Sequence, residues 1–257
     1  MPRSTYYSLL KPKTDKYADV KVKLKKIYLE SNKTKGYRWI THDLRAADFK
    51  INHKTVLKLM HELGIKSVVR RKKYSSYRPE YIGQTEENIL KRDFSTTGLN
   101  EKWSTDVTEF KVCGQKVFLS GIMDLYNKEL IAYSIYKSPK LDMVMDMVKQ
   151  AYEKRPSADN VIIHSDQGWH YKHGRYKSFL KSHNAIQSMS RKGNCLDNAI
   201  IENFWSTLKS EWFYQNNFSS VDSFISGLKN YIYYYNNIRE SPVLGYCTPV
   251  DFAVKNN

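Results

Sequence analysis

The stretch of sequence most informative about the fold is Ser190–Glu211, which reads SRKGNCLDNAIIENFWSTLKSE. From Asp197 onward its apolar residues recur with helical spacing, so the stretch predicts a long helix with one buried face. At about 100° of rotation per residue, Glu202 and Lys209 lie beside each other at the rim of that face. The helix therefore presents one acid and one base next to its core-facing stripe, which consists of Ile201, Trp205, Leu208 and Trp212.

The segments on either side of this helix predict an α/β core over residues 94–257. Three β-rich runs separated by short turns are typical of an antiparallel meander, and the apolar run VIIHSD (161–166) indicates a buried strand. We expect one sheet with helices on both faces. The meander runs are WSTDVTEF (103–110), QKVFLSGIMD (115–124) and ELIAYSIY (129–136); the later strand is AIQSMS (185–190); the helices are near 141–152, 175–183, 221–238 and 248–254.

Residues 1–66 predict a small all-α module. Helices are indicated between Asp15 and Glu30, after Gly36, and after Asn52, whose side chain is suited to cap the last of them. The last two helices surround a tight turn and resemble a helix-turn-helix, although a helical hairpin that only supports a core has the same pattern. The last helix bears Lys54 and Lys58, and its predicted apolar stripe is Val56, Leu57, Met60 and Leu63.

The positive charge of the chain is concentrated in its first third. Of a net charge of +16, residues 1–92 carry +14. Such a surface gains free energy by releasing counterions from a polyanion, so we expect DNA as a partner, with a merely solvated surface as the simpler alternative. An anionic membrane is not expected, because the basic segments lack an apolar face. Residues 67–93 predict an extended basic linker that contains Arg70, Arg71, Lys72 and Lys73.

The remaining composition predicts a cytoplasmic, nucleoid-associated protein. The N-terminus lacks the apolar stretch of a signal peptide, and the sequence has no transmembrane-length apolar run. Its cysteines, Cys113, Cys195 and Cys247, are far apart, which disfavours both a disulfide framework and a Cys-pair zinc site. The GxGxxG, GxxxxGK[ST] and GxSxG motifs are absent, so the sequence supports neither a nucleotide-hydrolysing motor nor a Ser-His-Asp hydrolase.

Three carboxylates are the candidates for chemistry. Asp106 lies inside a strand-forming run, Asp166 ends the buried strand, and Glu202 lies on the long helix. Taken singly, they have simpler explanations: an edge residue, a turn-forming Asp before Gly, and a solvated helix face. Taken together, they suit hard cations with oxygen ligands, namely Mg²⁺ or Mn²⁺. Two such ions about 4 Å apart support phosphoryl transfer.

The motifs around these acids resemble the catalytic core of bacterial insertion-sequence transposases, which are related to retroviral integrases. The motifs are WSTDVTEF around Asp106, HSDQGWHY around Asp166 and the quoted stretch around Glu202, with 35 residues between Asp166 and Glu202 and with Lys209 seven residues after Glu202. The upstream segments GYRWIT, HKTVLKLMHELGIKS and VVRRKKYSSYRP resemble the helix-turn-helix region that precedes this core.

The resemblance implies an RNase H-like mixed five-stranded sheet on which the three acids hold two Mg²⁺ or Mn²⁺ ions per active site. Water would cut a phosphodiester at the element's end, and the resulting 3′-OH would attack target DNA. Lys209 would contact phosphate, and Arg191, Lys192 and Asn194 would contact DNA by charge and position. His164 is either a support behind a metal ligand or a packed core histidine.

The resemblance also leads to expectations about partners. They are the element's terminal repeats, target DNA, further copies of the chain on DNA, and an upstream-frame protein or fusion, because the sequence resembles the downstream product of a two-frame element. Two alternatives remain: a ribonuclease H-type nuclease, which shares fold and acids, and a DNA-binding regulator with a vestigial nuclease core. An assay on an RNA–DNA hybrid separates the first alternative from a transposase, and a test for metal-dependent nicking separates the second.

Overall fold

The computed structural model describes residues 15–68, 85–191 and 195–256. The chain forms two compact units, Met1–Val69 and Arg70–Asn257. Within the described ranges, no helix has both the length and the apolar character needed to cross a lipid bilayer.

The N-terminal unit is built from three helices: α1 (Ala18–Glu30), α2 (Tyr37–Ala46) and α3 (His53–Glu62). The predicted cap is confirmed, because the Asn52 side chain accepts a hydrogen bond from the backbone N–H of Lys54 at 2.8 Å. Leu59, rather than the predicted Leu57, is buried on α3, since Leu59 lies three residues after Val56 on the same face. The apolar sides of the helices share one core, which includes Leu24, Ile40, Leu44, Val56, Leu59 and Met60.

The C-terminal unit contains a five-stranded mixed sheet. Its strands are β1 (Lys102–Val112), β2 (Gln115–Asp124), β3 (Leu130–Tyr136), β4 (Ile162–Ser165) and β5 (Ile186–Met189), in the order β3-β2-β1-β4-β5. The strands β1, β2 and β3 pair antiparallel, whereas β4 and β5 run parallel to β1. The predicted mixed five-stranded sheet is therefore confirmed, with the long β1 at its centre.

The hairpin between β1 and β2 is closed by Cys113 and Gly114, which have φ angles of 47° and 77°. Two consecutive residues of positive φ match the right-handed twist of the flanking strands. Gly114 adopts this conformation without the steric cost of a Cβ atom. The turn sets the β1–β2 register, in which Asp106 lies opposite Gly121.

Helices cover both faces of the sheet, as the sequence predicts. On one face, α4 (Leu141–Lys154), α5 (Trp169–Lys172) and α6 (Gly174–Ser182) pack against residues such as Trp103 and Ile122. On the other face, α7 (Ala199–Glu211) and α8 (Val221–Asn237) pack against residues such as Phe110 and Leu119. A 3₁₀ turn, Cys195–Asn198, leads into α7, and α9 (Pro249–Lys255) packs beside α8.

Residues 85–93, the last part of the predicted basic linker, lie against β5 and the start of α7. Leu90 is 2% exposed. The backbone N–H groups of Ile89 and Leu90 donate to Ser188 Oγ at 3.0 and 3.2 Å, and Met189 N donates to Glu87 O at 3.2 Å. These bonds satisfy backbone and side-chain groups along β5, which is an edge strand of the sheet.

Candidate active site

Asp106 lies in the middle of the central strand β1, on the face covered by α7. Side chains alternate along a strand, so Ser104, Asp106 and Thr108 share one face. Asp106 Oδ2 accepts a hydrogen bond from the indole Nε1 of Trp205 on α7, at 3.1 Å. The first predicted acid is thus partly buried and held from the helix side.

Asp166 follows β4 directly and lies beside Asp106. The parallel register pairs Ser104 with His164, and two further residues along each strand bring Asp106 and Asp166 alongside each other. The Asp166 Oδ1 atom accepts a hydrogen bond from Gly168 N at 2.8 Å. A Cβ atom at position 168 would lie 2.9 Å from Asp166 Oδ1, so glycine leaves the room that the carboxylate needs. Asp166 therefore forms the turn and lies close enough to Asp106 for their charges to interact.

Glu202 lies in the first turn of α7, which runs along β1. Before the helix, Asn198 is anchored to β1: Ser104 Oγ donates to Asn198 Oδ1 at 2.5 Å, and Asn198 Nδ2 donates to Thr105 O at 3.2 Å. Towards the other end, Lys209 Nζ donates to Thr108 Oγ1 at 2.6 Å. Since Glu202 lies between these two anchors, the helix holds it at the level of the two aspartates.

The three acids influence each other electrostatically. Burial raises the pKa of Asp106 well above its usual range, and the negative charges of Asp166 and Glu202 raise it further. Surrounding protein atoms displace water on one side of Asp166 and raise its pKa, although the Gly168 N–H opposes this shift. Partial burial and the charge of Asp166 likewise raise the pKa of Glu202. The three carboxylates therefore share one region of the surface.

The donor set fits divalent cations, although the carboxylates do not meet at one point. Among residues 15–68, 85–191 and 195–256, none of the three forms a salt bridge with Lys or Arg. Over the same ranges, no group of three His, Cys, Asp or Glu side chains is arranged to hold a metal ion as it stands. His170 and Lys172 lower the pKa of Asp166 through their charge, but neither neutralises the group of three acids by direct ion pairing within the described ranges. Carboxylates that repel each other in this way are suited to oxygen-preferring ions.

Family comparisons agree with this architecture. Family models described as integrase core domains match residues 97–195 and 202–256, and an HTH-like domain model matches residues 15–73. InsK of Escherichia coli (strain K12), which is described as a transposase for insertion sequence element IS150, is 48% identical to this chain over 254 residues. That match covers 98% of this chain and 89% of InsK. The chain belongs to the insertion-sequence transposases.

Two further proteins are similar to this chain. InsF of Escherichia coli (strain K12) is described as a transposase for insertion sequence IS3A and is 32% identical to this transposase. The match covers 89% of this chain and 80% of InsF. The integrase catalytic core of HTLV-2, solved in complex with magnesium in a trimeric form, is 15% identical, with a TM-score of 0.49. It covers 61% of this chain and 97% of that one. The resemblance that the three sequence motifs indicate is confirmed by the matches to InsK and InsF.

The predicted DNA contacts of the transposase core have partners within the protein. Lys209 is half-buried, and in addition to its bond to Thr108 its ammonium lies 5.1 Å from the centre of the Phe110 ring. The Arg191 side chain is 61% exposed and forms a salt bridge to Asp197 at 3.3 Å. Lys192 and Asn194 lie outside the described residues.

His164 is fully buried in the transposase core. Its Nδ1 atom is 2.9 Å from Ser188 Oγ, and its Nε2 atom has no hydrogen-bond partner among the residues that the structure describes. Burial lowers the pKa of His164 to about 4, although the nearby charge of Asp197 opposes the shift. The imidazole is therefore neutral at pH 7. It is in register with Ser104 and lies on β4, the strand that Asp166 directly follows.

In the N-terminal unit, Lys54 and Lys58 are exposed on α3. The other four predicted contacts, Arg70, Arg71, Lys72 and Lys73, lie outside the described ranges.

Sequence reasoning missed the roles of two residues, one in contact with Asp106 and one at the start of the helix that carries Glu202. Trp205 is predicted only as a core residue, yet its N–H donates to Asp106. The sequence could have indicated this contact, because the N–H of a buried indole usually donates to an acceptor. Asp197 is predicted only as a helix start, yet its carboxylate is fully buried and bonded to Arg92 and Arg191. Arg191 is only six residues away, but no local signal identifies Arg92, which is 105 residues away.

Proposed function

We propose that this transposase cuts DNA at the element's ends and joins the cut ends to target DNA, with Asp106, Asp166 and Glu202 as ligands of two Mg²⁺ or Mn²⁺ ions. The observation that carries the proposal is the mutual electrostatic influence of three carboxylates that lack a Lys or Arg salt bridge among the described residues. When bound, two such ions activate the attacking oxygen and stabilise the leaving oxygen in phosphoryl transfer.

The reaction consists of two displacements at phosphorus. In the first, water attacks the phosphodiester at the element's end, and the bond to the 3′ oxygen breaks to leave a 3′-OH and a 5′-phosphate. In the second, that 3′-OH attacks a target phosphodiester, and a target 3′-OH leaves. The number of phosphodiester bonds is conserved in the second step, and no bond to the protein forms.

The residues around the acids support both displacements. Trp205 holds one oxygen of Asp106 and Gly168 N–H holds one oxygen of Asp166, so each carboxylate keeps further lone pairs for cations. Lys209 lies on α7 and donates to Thr108 on β1, the strand that carries Asp106; in this proposal its ammonium attracts a phosphate. Arg191 presents a largely exposed guanidinium in the segment that leads into α7.

A strand-transfer assay tests the proposal. Oligonucleotides carrying the flanking inverted repeats are incubated with the full chain and Mg²⁺, with and without the upstream-frame product. The substitutions Asp106→Asn, Asp166→Asn and Glu202→Gln should each reduce joining at least about 10³-fold, because each removes ligand charge worth several kcal/mol in the transition state. DNA binding and the circular dichroism spectrum should be retained.

Matched controls and competing outcomes complete the test. The exposed acids Glu153 and Asp222 serve as controls: Glu153→Gln and Asp222→Asn should join DNA as the wild type does. Near-normal joining by any of the three active-site variants would remove that residue from the proposed site. Cleavage of an RNA–DNA hybrid without joining would favour a ribonuclease H, and DNA binding without metal-dependent nicking would favour a regulator.

A further inference from the structure

The indole of Trp205 joins the helix that carries Glu202 to the carboxylate of Asp106. Trp205 lies three residues after Glu202 on α7 and is 5% exposed. Its Nε1–H donates to Asp106 Oδ2 at 3.1 Å, across 99 residues of sequence. One rigid helix therefore carries both a predicted ligand and the hydrogen-bond donor that orients another.

Gly121 on β2 makes this contact possible. It lies directly opposite Asp106 in the antiparallel β1–β2 pair. A Cβ atom at position 121 would lie 2.7 Å from Cη2 and 3.2 Å from Cζ2 of the Trp205 ring. The space that any other side chain would fill is therefore occupied by the indole, which approaches the sheet closely enough to reach Asp106.

The hydrogen bond fixes the orientation of the Asp106 carboxylate and leaves most of its lone pairs available for a cation. An indole N–H is a donor only, so it uses one lone pair of Oδ2 and competes for no cation. Oδ1 and the remaining lone pair of Oδ2 stay available. Because the donor is fixed by the packing of its ring, the carboxylate is held in one orientation relative to Glu202.

We propose that Trp205 is a positioning residue that orients the Asp106 carboxylate for a divalent cation. It does so through its hydrogen bond to Asp106 and through the packing of its ring against Gly121. This inference rests on the proposed function, since it needs Asp106 to be a metal ligand. Loss of a partner that orients a ligand costs about 10- to 100-fold in metal affinity. Trp205→Phe, which keeps an aromatic ring but removes the N–H, should therefore weaken Mn²⁺ binding by about 10-fold or more.

Trp212 provides a matched control. It lies at the C-terminal end of the same helix and also packs over a glycine, since a Cβ atom at Gly227 would lie 2.8 Å from Trp212 Cζ2. Trp212→Phe should alter the packing of the same apolar cluster and leave Mn²⁺ binding unchanged. A purely structural role for Trp205 predicts the same result for both variants.

The experiment measures Mn²⁺ binding to the full chain without DNA, by electron paramagnetic resonance of free Mn²⁺, together with the thermal midpoint in the absence of metal. Wild type, Trp205→Phe, Trp212→Phe and Asp106→Asn are compared. The inference is supported if Trp205→Phe binds Mn²⁺ more weakly than the wild type and Trp212→Phe does not. It is overturned if Trp205→Phe binds Mn²⁺ with wild-type affinity. If Asp106→Asn also binds like the wild type, the ligand assignment fails, and with it the proposed function.

A second variant keeps the inference testable if Trp205→Phe does not fold. Gly121→Ala retains the indole but places a methyl group 2.7 Å from its ring and 3.0 Å from Leu130 Cδ1, so the packing of the ring must change. We expect this change to disturb the hydrogen bond to Asp106. The same loss of Mn²⁺ affinity is expected. A folded Gly121→Ala protein with wild-type affinity would contradict the role of Trp205.

Discussion

At the scale of single residues, Asp197 illustrates a role that its local sequence does not reveal. Its side chain is 0% exposed and accepts hydrogen bonds from Asn88 Nδ2 at 2.9 Å and Arg92 Nε at 2.8 Å. Arg191 Nε lies 3.3 Å from the same carboxylate. Asp197 thereby attaches the segment 85–93 and the residues before α7 to the start of the helix that carries Glu202.

This arrangement predicts a loss of stability at low pH. Burial by itself would raise the pKa of Asp197, but hydrogen bonds from Arg191 and Arg92 outweigh it and lower the pKa to about 2, from the model-compound value of 3.8. A carboxylate whose folded pKa is depressed stabilises the protein above its unfolded pKa. The contribution of Asp197 should therefore be lost as the pH falls from about 4 to about 2.

Urea unfolding of the wild type and Asp197→Asn between pH 2 and 6 measures this contribution. The variant should be less stable at pH 6 and should lose less stability below pH 4. Asp222→Asn, which removes an exposed carboxylate from α8, controls for the loss of one surface charge. An equally steep decline in wild type and Asp197→Asn would contradict the assignment.

At the scale of elements, α7 connects the sheet to α8. Its final residue, Glu211, accepts two hydrogen bonds from Arg239, Nε to Oε2 at 2.8 Å and Nη2 to Oε1 at 2.7 Å, and one from the hydroxyl of Tyr231 at 3.2 Å. Both charged side chains are largely buried, at 13% and 11% exposure. The end of the helix that carries Glu202 is thus held by a bidentate ion pair.

Glu211→Gln should lower the free energy of unfolding by about 3 kcal/mol, because it leaves the Arg239 charge in a poorly solvated position. The matched control is Glu109→Gln. Glu109 and Lys116 form an ion pair at 3.1 Å with side chains 41% and 53% exposed. An exposed pair contributes about 0–1 kcal/mol, so this control should change stability little. Chemical denaturation measures both, and equal effects would contradict the prediction.

The elements themselves were largely predictable from local patterns. The three runs of the meander became β1, β2 and β3, and VIIHSD became β4 followed by Asp166. The helix predicted from Asp197 begins at Ala199, after a 3₁₀ turn. That difference arises because Asp197 and Asn198 use their side chains for contacts with distant segments, which local spacing does not encode.

At the scale of the whole molecule, the positive charge is concentrated in the N-terminal third of the chain. Residues 1–92 carry +14 of the net +16, and Lys54 and Lys58 are exposed on α3. If these lysines contact phosphates, each releases about one counterion on binding. Lys54→Gln combined with Lys58→Gln should therefore reduce the slope of log K against log salt by about 2.

Fluorescence anisotropy of labelled terminal-repeat DNA across a salt series measures that slope. Lys25→Gln combined with Lys26→Gln removes the same charge from α1, outside the predicted helix-turn-helix, and should change the slope less. An equal change in slope for both pairs would mean that the net charge of the protein, and not a contact by the α3 lysines, sets the salt dependence. An unchanged slope for the α3 pair would leave these lysines as solvated surface.

The amino-acid sequence alone determined what depends on near neighbours along the chain. Periodicity indicated the strands and helices, Asn52 indicated a cap, and residue types with their spacing singled out Asp106, Asp166 and Glu202 as candidates. These signals are local, because dihedral preference, capping and the burial of one helix face are set within a few residues.

Only the tertiary structure decided how distant residues meet. The β1–β4 register places Asp166 beside Asp106, and the packing of the Trp205 ring over Gly121 brings its indole N–H to Asp106. The buried Asp197 likewise meets Arg92, which is 105 residues away. These contacts depend on how whole elements pack. Packing is settled by the joint burial of apolar faces and by the pairing of most buried polar groups, and no single segment carries that information.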